Sequence, residues 1–205
     1  KLGGKKASTE IETLTNIGSD VSSNNGSIVL SADNDINLTN TKLNAEKDIN
    51  LLSEDGNIIL SSALDTYSRT DKTKKKSAFS SKETIDIKKT GTNQISELNS
   101  DNGNINIIAN SGNILSLGTE FNALNVDGDL TGSVGNINMD AGNDVSLYNV
   151  KDYTYDYHFK QTQKMSLGSV VATTAIGGIW AGGAAGVIGG STKKSMKEDY
   201  NETIT

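Results

Sequence analysis

The 205-residue chain contains no cysteine and no proline. The first absence removes the disulfide staples of small secreted domains. The second removes the proline-rich linkers that commonly separate domains, so one continuous architecture over 1–205 is expected. Aromatic residues make up 5% and hydrophobic residues 34%, too little for a large three-dimensional core. Basic charge is also short: the net charge is −6, the pI is near 4.8, and there is one arginine and one histidine. Such a balance excludes general nucleic-acid binding, which needs a basic field. The opening KLGGKKASTE has two basic clusters with no apolar run behind them, so no signal peptide is expected there. The expectation is either a chain that is not exported or an internal piece of a longer one.

What the chain has in quantity is glycine, 21 residues, set in short repeated units. GSIVL from Gly26, NDINL from Asn34, KDINL from Lys47, GNIIL from Gly56, GNINI from Gly103, GNILSL from Gly112, GDL from Gly128, GNINM from Gly135 and GNDVSL from Gly142 share one form. Successive units lie about eight or nine residues apart, the length of a short strand plus a tight turn. Apolar residues alternate within a unit, as at Ile36 and Leu38 or Ile49 and Leu51, which places them on one face of a strand. Strands this short bury that face only by stacking, so a solenoid is preferred to an antiparallel sandwich, whose strands rarely share one consensus. The Gly-Asn, Asn-Asp and Asp-Gly pairs before each strand are read as turns needing φ > 0 and side-chain bonds to backbone.

Two regions break the rhythm. One runs over 65–90 and holds DTYSRTDKTKKKSAFSSKETIDI; the other runs over 150–205. Both carry Lys-Lys-Ser followed by Glu-Thr-Ile, at Lys75 to Ile85 and at Lys193 to Ile204, so they are read as two copies of one hairpin-like excursion. In the second, Tyr153, Tyr155, Tyr157 and Phe159 alternate with Thr154, Asp156 and His158, a strand signature. Its tip, 167–191, is glycine-rich and apolar.

The Gly-Asn-Ile-x-Leu units resemble the haemagglutinin repeats of two-partner secretion exoproteins, the filamentous haemagglutinin-like adhesins and contact-dependent growth inhibition toxins. LNAEKDINLLSEDGNIILSSALDTYSRTDKTKKKSAF followed by ETIDIKKTGTNQISELNSDNGNINIIANSGNILSLGTEFNALNVDGDL is similar to their second repeat class, in which solenoid rungs alternate with a Ser/Lys-rich excursion. The resemblance implies an all-β fold, a right-handed parallel β-helix, in a filament on a bacterial surface. It implies an outer-membrane transporter as export partner. In the toxins it implies engagement of a target cell's outer membrane or a surface receptor, and in the adhesins a shaft.

A polysaccharide-degrading enzyme on a β-helix, which needs clustered carboxylates with Arg or Lys beside them and predicts a carboxylate-lined groove, is the least supported reading. Asp33, Asp35, Asp48 and Asp55 occupy turn positions where Asp is common for backbone reasons. Arg69 stands alone in an excursion, and His158 has no second His or Cys with which to share a metal. The calcium-binding solenoid pattern, with paired glycines, is missing. A non-enzymatic chain without cofactor or metal is therefore expected.

The candidate contact residues lie in the excursions. Lys72, Lys74, Lys75 and Lys76 form a basic run, ordinarily a solvated turn, that is also suited to anionic surface groups. The tyrosine row is expected to pack against a neighbouring arm. From Val170 to Gly190 no residue is charged. As a helix these residues reach ~32 Å, near the ~30 Å of bilayer hydrocarbon, and as a hairpin they span equally well. Gly178, Gly182, Gly186 and Gly190 would form a small-residue packing face on a helix, although glycine disfavours an isolated helix by roughly 1 kcal/mol per residue. Ile176, Ile179, Trp180, Val187 and Ile188 are the candidates for membrane or partner contact. Lys160 and Lys164 before, with Lys193, Lys194 and Lys197 after, are placed to hold the ends in a headgroup layer.

Overall fold

The computed structural model describes residues 3–124, 135–165 and 192–205, and these residues form strands and turns with no helix. They divide into two compact units. One comprises Leu14–Asp65 and Gly91–Asp152, the other Lys1–Thr13, Thr66–Thr90 and Tyr153–Thr205.

The first unit is built of four coils of three strands. These are β2 (Ser19–Ser23), β3 (Ile28–Ala32) and β4 (Ile36–Thr39); β5 (Thr41–Ala45), β6 (Ile49–Ser53) and β7 (Ile58–Ser61); β10 (Ser96–Ser100), β11 (Ile105–Ala109) and β12 (Ile114–Leu117); β13 (Thr119–Ala123), β14 (Ile137–Ala141) and β15 (Val145–Tyr148). Corresponding strands pair in parallel into three four-stranded sheets, β13-β10-β5-β2, β14-β11-β6-β3 and β15-β12-β7-β4. This is the strand order of a parallel β-helix with three faces. The repeat seen in the sequence is the step from face to face, and three such steps close one coil.

Register keeps like on like. Ile28 pairs with Ile49, Ile49 with Ile105 and Ile105 with Ile137. Ile36, Ile58, Ile114 and Val145 form a second column. Ile49, Ile58, Leu60, Ile105 and Ile114 are fully buried, each contributing about 1.5–3 kcal/mol of hydrophobic burial. The columns open at the last coil, where Ile137 and Val145 are each 44% exposed. Serines fill the tight interior corners and are satisfied there: Ser53 donates to the Asn34 carbonyl at 2.7 Å, Ser100 to Lys47 at 2.8 Å and Ser96 to Ser61 at 2.8 Å.

The glycines of the repeated units serve a purpose other than the one expected. Among the described residues, φ is positive only at Gly3, Asn40 and Gly118, so the units' turns do not need left-handed backbone. Gly112 is required because a Cβ there would overlap the Gly56 carbonyl of the coil before. The glycine sets how closely coils approach. The Asn or Asp that follows forms a column. Asp35 Oδ1 accepts the Asn57 amide N–H at 2.7 Å, Asn57 Oδ1 accepts that of Asn113 at 2.9 Å, and Asn113 Oδ1 accepts that of Asp144 at 3.2 Å. Asp48, Asn104 and Asn136 repeat the arrangement at another corner. On the outer faces Asn50, Asn106 and Asn138 form an amide ladder at 2.8 Å per step, and Asn44, Asn99 and Asn122 form another. The Asn-rich composition is thus consumed in coil-to-coil bonding.

The second unit is a five-stranded sheet, β1-β8-β9-β16-β17, of long strands: β1 (Gly3–Leu14), β8 (Ala63–Ser77), β9 (Ser80–Gln94), β16 (Tyr153–Met165) and β17 (Thr192–Ile204). Only Ala78 and Phe79 separate β8 from β9, a connection that requires antiparallel neighbours. β16 and β17 pair antiparallel over thirteen residues, from Tyr153↔Ile204 to Met165↔Thr192. Lys75-Lys76-Ser77 ends β8 before its turn, whereas Lys193-Lys194-Ser195 begins β17. The two Lys-Lys-Ser motifs therefore stand on different sides of their strand pairs and are not counterparts. The equivalence between the strand pairs is carried by an asparagine instead. Asn16 N–H and Nδ2 bond Asp65 Oδ1 at 2.7 and 3.0 Å, with Nδ2 also reaching the Leu64 carbonyl. Asn93 makes the same three bonds to Asp152 and Lys151.

Candidate interaction surface

Neither face of the five-stranded sheet is buried. β1 and the described side chains of β17 are exposed along their length. Alternate residues of a strand point to opposite faces, and the lysines of β8 do so. Lys74 and Lys76 line one cavity of about 450 Å³ with Gly3, Gly4 and Lys6. Lys75 lines another of about 240 Å³ with Lys5, Thr73, Lys82 and Thr84. A third, of about 370 Å³, lies at the β8–β9 turn between Lys74, Lys76, Phe79 and Lys164. Lys74 bonds Glu83 at 3.2 Å. Among the described residues, Lys5, Lys6, Lys75, Lys76, Lys82 and Lys164 have no carboxylate within 4.0 Å.

The pairing of β16 with β17 adds to this charge. Lys164 lies opposite Lys193, Gln163 opposite Lys194, and Lys160 opposite Lys197. Like charges directly opposite one another destabilise a sheet, and among the described residues Lys197 alone of these has a carboxylate partner, Asp199 at 2.9 Å. Lys72, Lys74, Lys75, Lys76, Lys164, Lys193 and Lys194 all fall in this one sheet, and all are exposed. Ile176, Ile179, Trp180, Val187, Ile188, Gly178, Gly182, Gly186 and Gly190 lie outside the described residues.

Farther along the sheet the charge reverses. Asp71, Asp86, Asp156 and Asp199 line a cavity of about 290 Å³ together with Arg69, Lys88 and His158. Arg69 bonds Asp71 at 2.7 Å, and with a hydroxyl bond from Thr9 it holds that carboxyl below its ordinary value. His158 Nδ1 bonds Asp86. No group of three or more His, Asp or Glu side chains able to hold a metal occurs among the described residues. The tyrosine row packs within the sheet: Tyr155 meets Tyr200 edge to face at 5.3 Å, and Tyr157 donates to Glu198 at 2.7 Å. That bond pushes the Tyr157 phenol up, and Glu202 does the same to Tyr200.

Residues 1–93 match the family model described as a hemagglutinin repeat. This part of the chain is a hemagglutinin-repeat region. No curated protein and no solved structure gives a match.

The hemagglutinin-repeat region takes in two coils, β1, β8 and β9 as far as Asn93, and with them the lysines of β8. The match supports the setting of a two-partner-secretion-type protein. Asp35 and Asp48 are column residues, each accepting a backbone N–H, which supports the turn reading of these carboxylates. The carboxylate-lined cavity around His158 lies in the long-strand sheet, outside the β-helix. Its members come from β8, β9, β16 and β17, and no spacing in the sequence brings them together.

Proposed function

We propose that this chain is a surface-filament segment of a secreted bacterial exoprotein, exported through an outer-membrane transporter. In this reading its long-strand sheet belongs to the region of a contact-dependent growth inhibition toxin that engages a target cell's outer membrane and aids delivery. The segment is non-catalytic and needs no cofactor. A right-handed coil sense, as in other parallel β-helices, completes the architectural reading.

One observation carries this reading. The strands on either side of the uncharged stretch are paired residue for residue up to Met165 and Thr192, and both carry lysine next to that boundary. Met165 and Thr192, which bound the uncharged stretch in the sequence, are paired neighbours with Lys164 and Lys193 beside them, and lysine flanks of this kind suit an apolar sequence held by headgroups. A passive shaft has no use for it.

Liposome flotation of the chain, with Ile179→Asp and Trp180→Asp beside wild type, tests the reading. Flotation of wild type and its loss in both variants is expected. Wild type and variants remaining equally in the soluble fraction would favour the passive shaft of a filamentous haemagglutinin-like adhesin.

A further inference from the structure

The end of the long-strand sheet that carries the β8–β9 turn is lysine-lined on both faces. Lys6 and Lys76 lie on one and Lys5, Lys75 and Lys82 on the other. None of these five has a carboxylate partner among the described residues. The like-charge pair Lys164↔Lys193 stands at the same end. In a chain of net charge −6, so many uncompensated cations at one place oppose the rest of the molecule. Their mutual repulsion disfavours the folded sheet unless an anion is supplied from outside.

We infer that this end of the sheet binds the phosphate groups of an anionic lipid surface, and that it does so end-on. A flat basic face would lie against a membrane or along a nucleic acid with its charges on one side. Here the charges stand on both faces of the sheet at one end, so engagement through that end uses both sets at once. The β8–β9 turn supplies the apolar element. Phe79 at its apex is 46% exposed and lies beside Lys74, Lys76 and Lys164, the pairing of an apolar ring with lysine found on elements that lie in a membrane interface. The exposed apolar apex, which a bilayer accepts and a phosphate backbone does not, favours lipid over nucleic acid. The inference rests on the proposed outer-membrane engagement and names its chemistry.

The test uses the whole chain and cosedimentation with phosphatidylglycerol vesicles, beside vesicles of phosphatidylcholine alone. Wild type is expected to bind the anionic vesicles only, and less as salt rises. Lys5→Glu/Lys75→Glu/Lys82→Glu and Lys6→Glu/Lys76→Glu alter opposite faces, and end-on engagement requires each set to weaken binding at least roughly tenfold. Lys164→Glu creates an opposite-charge pair with Lys193, so it is expected to raise the melting midpoint while lowering vesicle affinity. A purely structural lysine would not separate these two readouts. Lys47→Glu on the β-helix is expected to leave binding unchanged. Loss confined to one face, equal binding to neutral vesicles, or tighter binding to duplex DNA than to anionic vesicles would overturn the inference. If the lysine variants bind normally while Ile179→Asp and Trp180→Asp do not, this inference fails and the broader function stands.

Discussion

Asn16 grips Asp65 with both its backbone N–H and its side-chain amide, at 2.7 and 3.0 Å. Asn93 grips Asp152 in the same way. In both cases the aspartate lies at a boundary where the chain passes from the β-helix into the long-strand sheet. The clamp therefore marks each departure by structure, where the Lys-Lys-Ser motif does not.

The clamp predicts a pH dependence. The Asn16 backbone N–H, then its side chain, lower the pKa of Asp65 in the folded state. A depressed carboxyl contributes stability that is present above its unfolded value, about 3.9, and is lost as pH falls through the folded one. Asp65→Ala is expected to lower the urea midpoint at neutral pH. The difference from wild type is expected to fade as pH falls through the folded-state value and the wild-type Asp65 carboxyl becomes protonated.

Coil spacing predicts two glycine outcomes of different size. Gly112→Ala drives a methyl into the Gly56 carbonyl, an atom fixed by the sheet, and is expected to cost roughly 2–4 kcal/mol by chemical denaturation. Among the described residues, a Cβ at Gly26 would meet only the Ser23 hydroxyl, at 3.3 Å. Gly26→Ala is expected to shift stability by about 0.5 kcal/mol or less.

The corner columns predict that a single amide-to-acid change is costly. In wild type, Asn57 Nδ2 donates to Asp35 Oδ1 at 3.1 Å. Asn57→Asp replaces that donor with a carboxylate beside a carboxylate and is expected to destabilise by roughly 1–2 kcal/mol at pH 7. The cost is expected to shrink as acid neutralises the pair, so midpoints measured across pH 3–7 provide the check.

The hydrogen bond to Glu198 predicts that Tyr157 ionises late. Its raised pKa contributes stability that is complete below the unfolded value, about 10, and is lost as pH rises through the folded value. Ultraviolet titration is expected to show one tyrosine moving to lower pH in Glu198→Gln. Tyr200 serves as an internal comparison, because its partner is Glu202.

Two faces of the coil were legible in the sequence because Ile49 or Ile58 and the polar residue before it serve opposite needs at adjacent positions: one fills the core and the other ties coils together. The third face carries no such signal. Its strands SDVSS, TKLNA, SELNS and TEFNA share no glycine, and their buried positions alternate small residues such as Ser96 and Ser100 with a single Leu98. The wrong account of glycine has a related origin. Sequence shows a residue without a side chain but not what lies across from it, so the backbone approach at Gly112 is read as a turn. The lysines of β8 were legible as a run, but their division between two faces and the Lys164↔Lys193 pairing are properties of the sheet.

The step from the third face of one coil to the first face of the next is made in two ways. Asn40 alone bridges β4 to β5 with φ 48°, and Gly118 alone bridges β12 to β13 with φ 69°. Between β7 and β10 the same corner carries residues 62–95, yet Ile58 still meets Ile114 and Ser61 still meets Leu117. The core is indifferent to the length of chain spliced in at that corner. Evolution can lengthen, shorten or replace such a splice without renegotiating the helix beneath it. A protein engineer can use the same port, grafting a foreign hairpin between Ser61 and Ser96 while the coils keep their register.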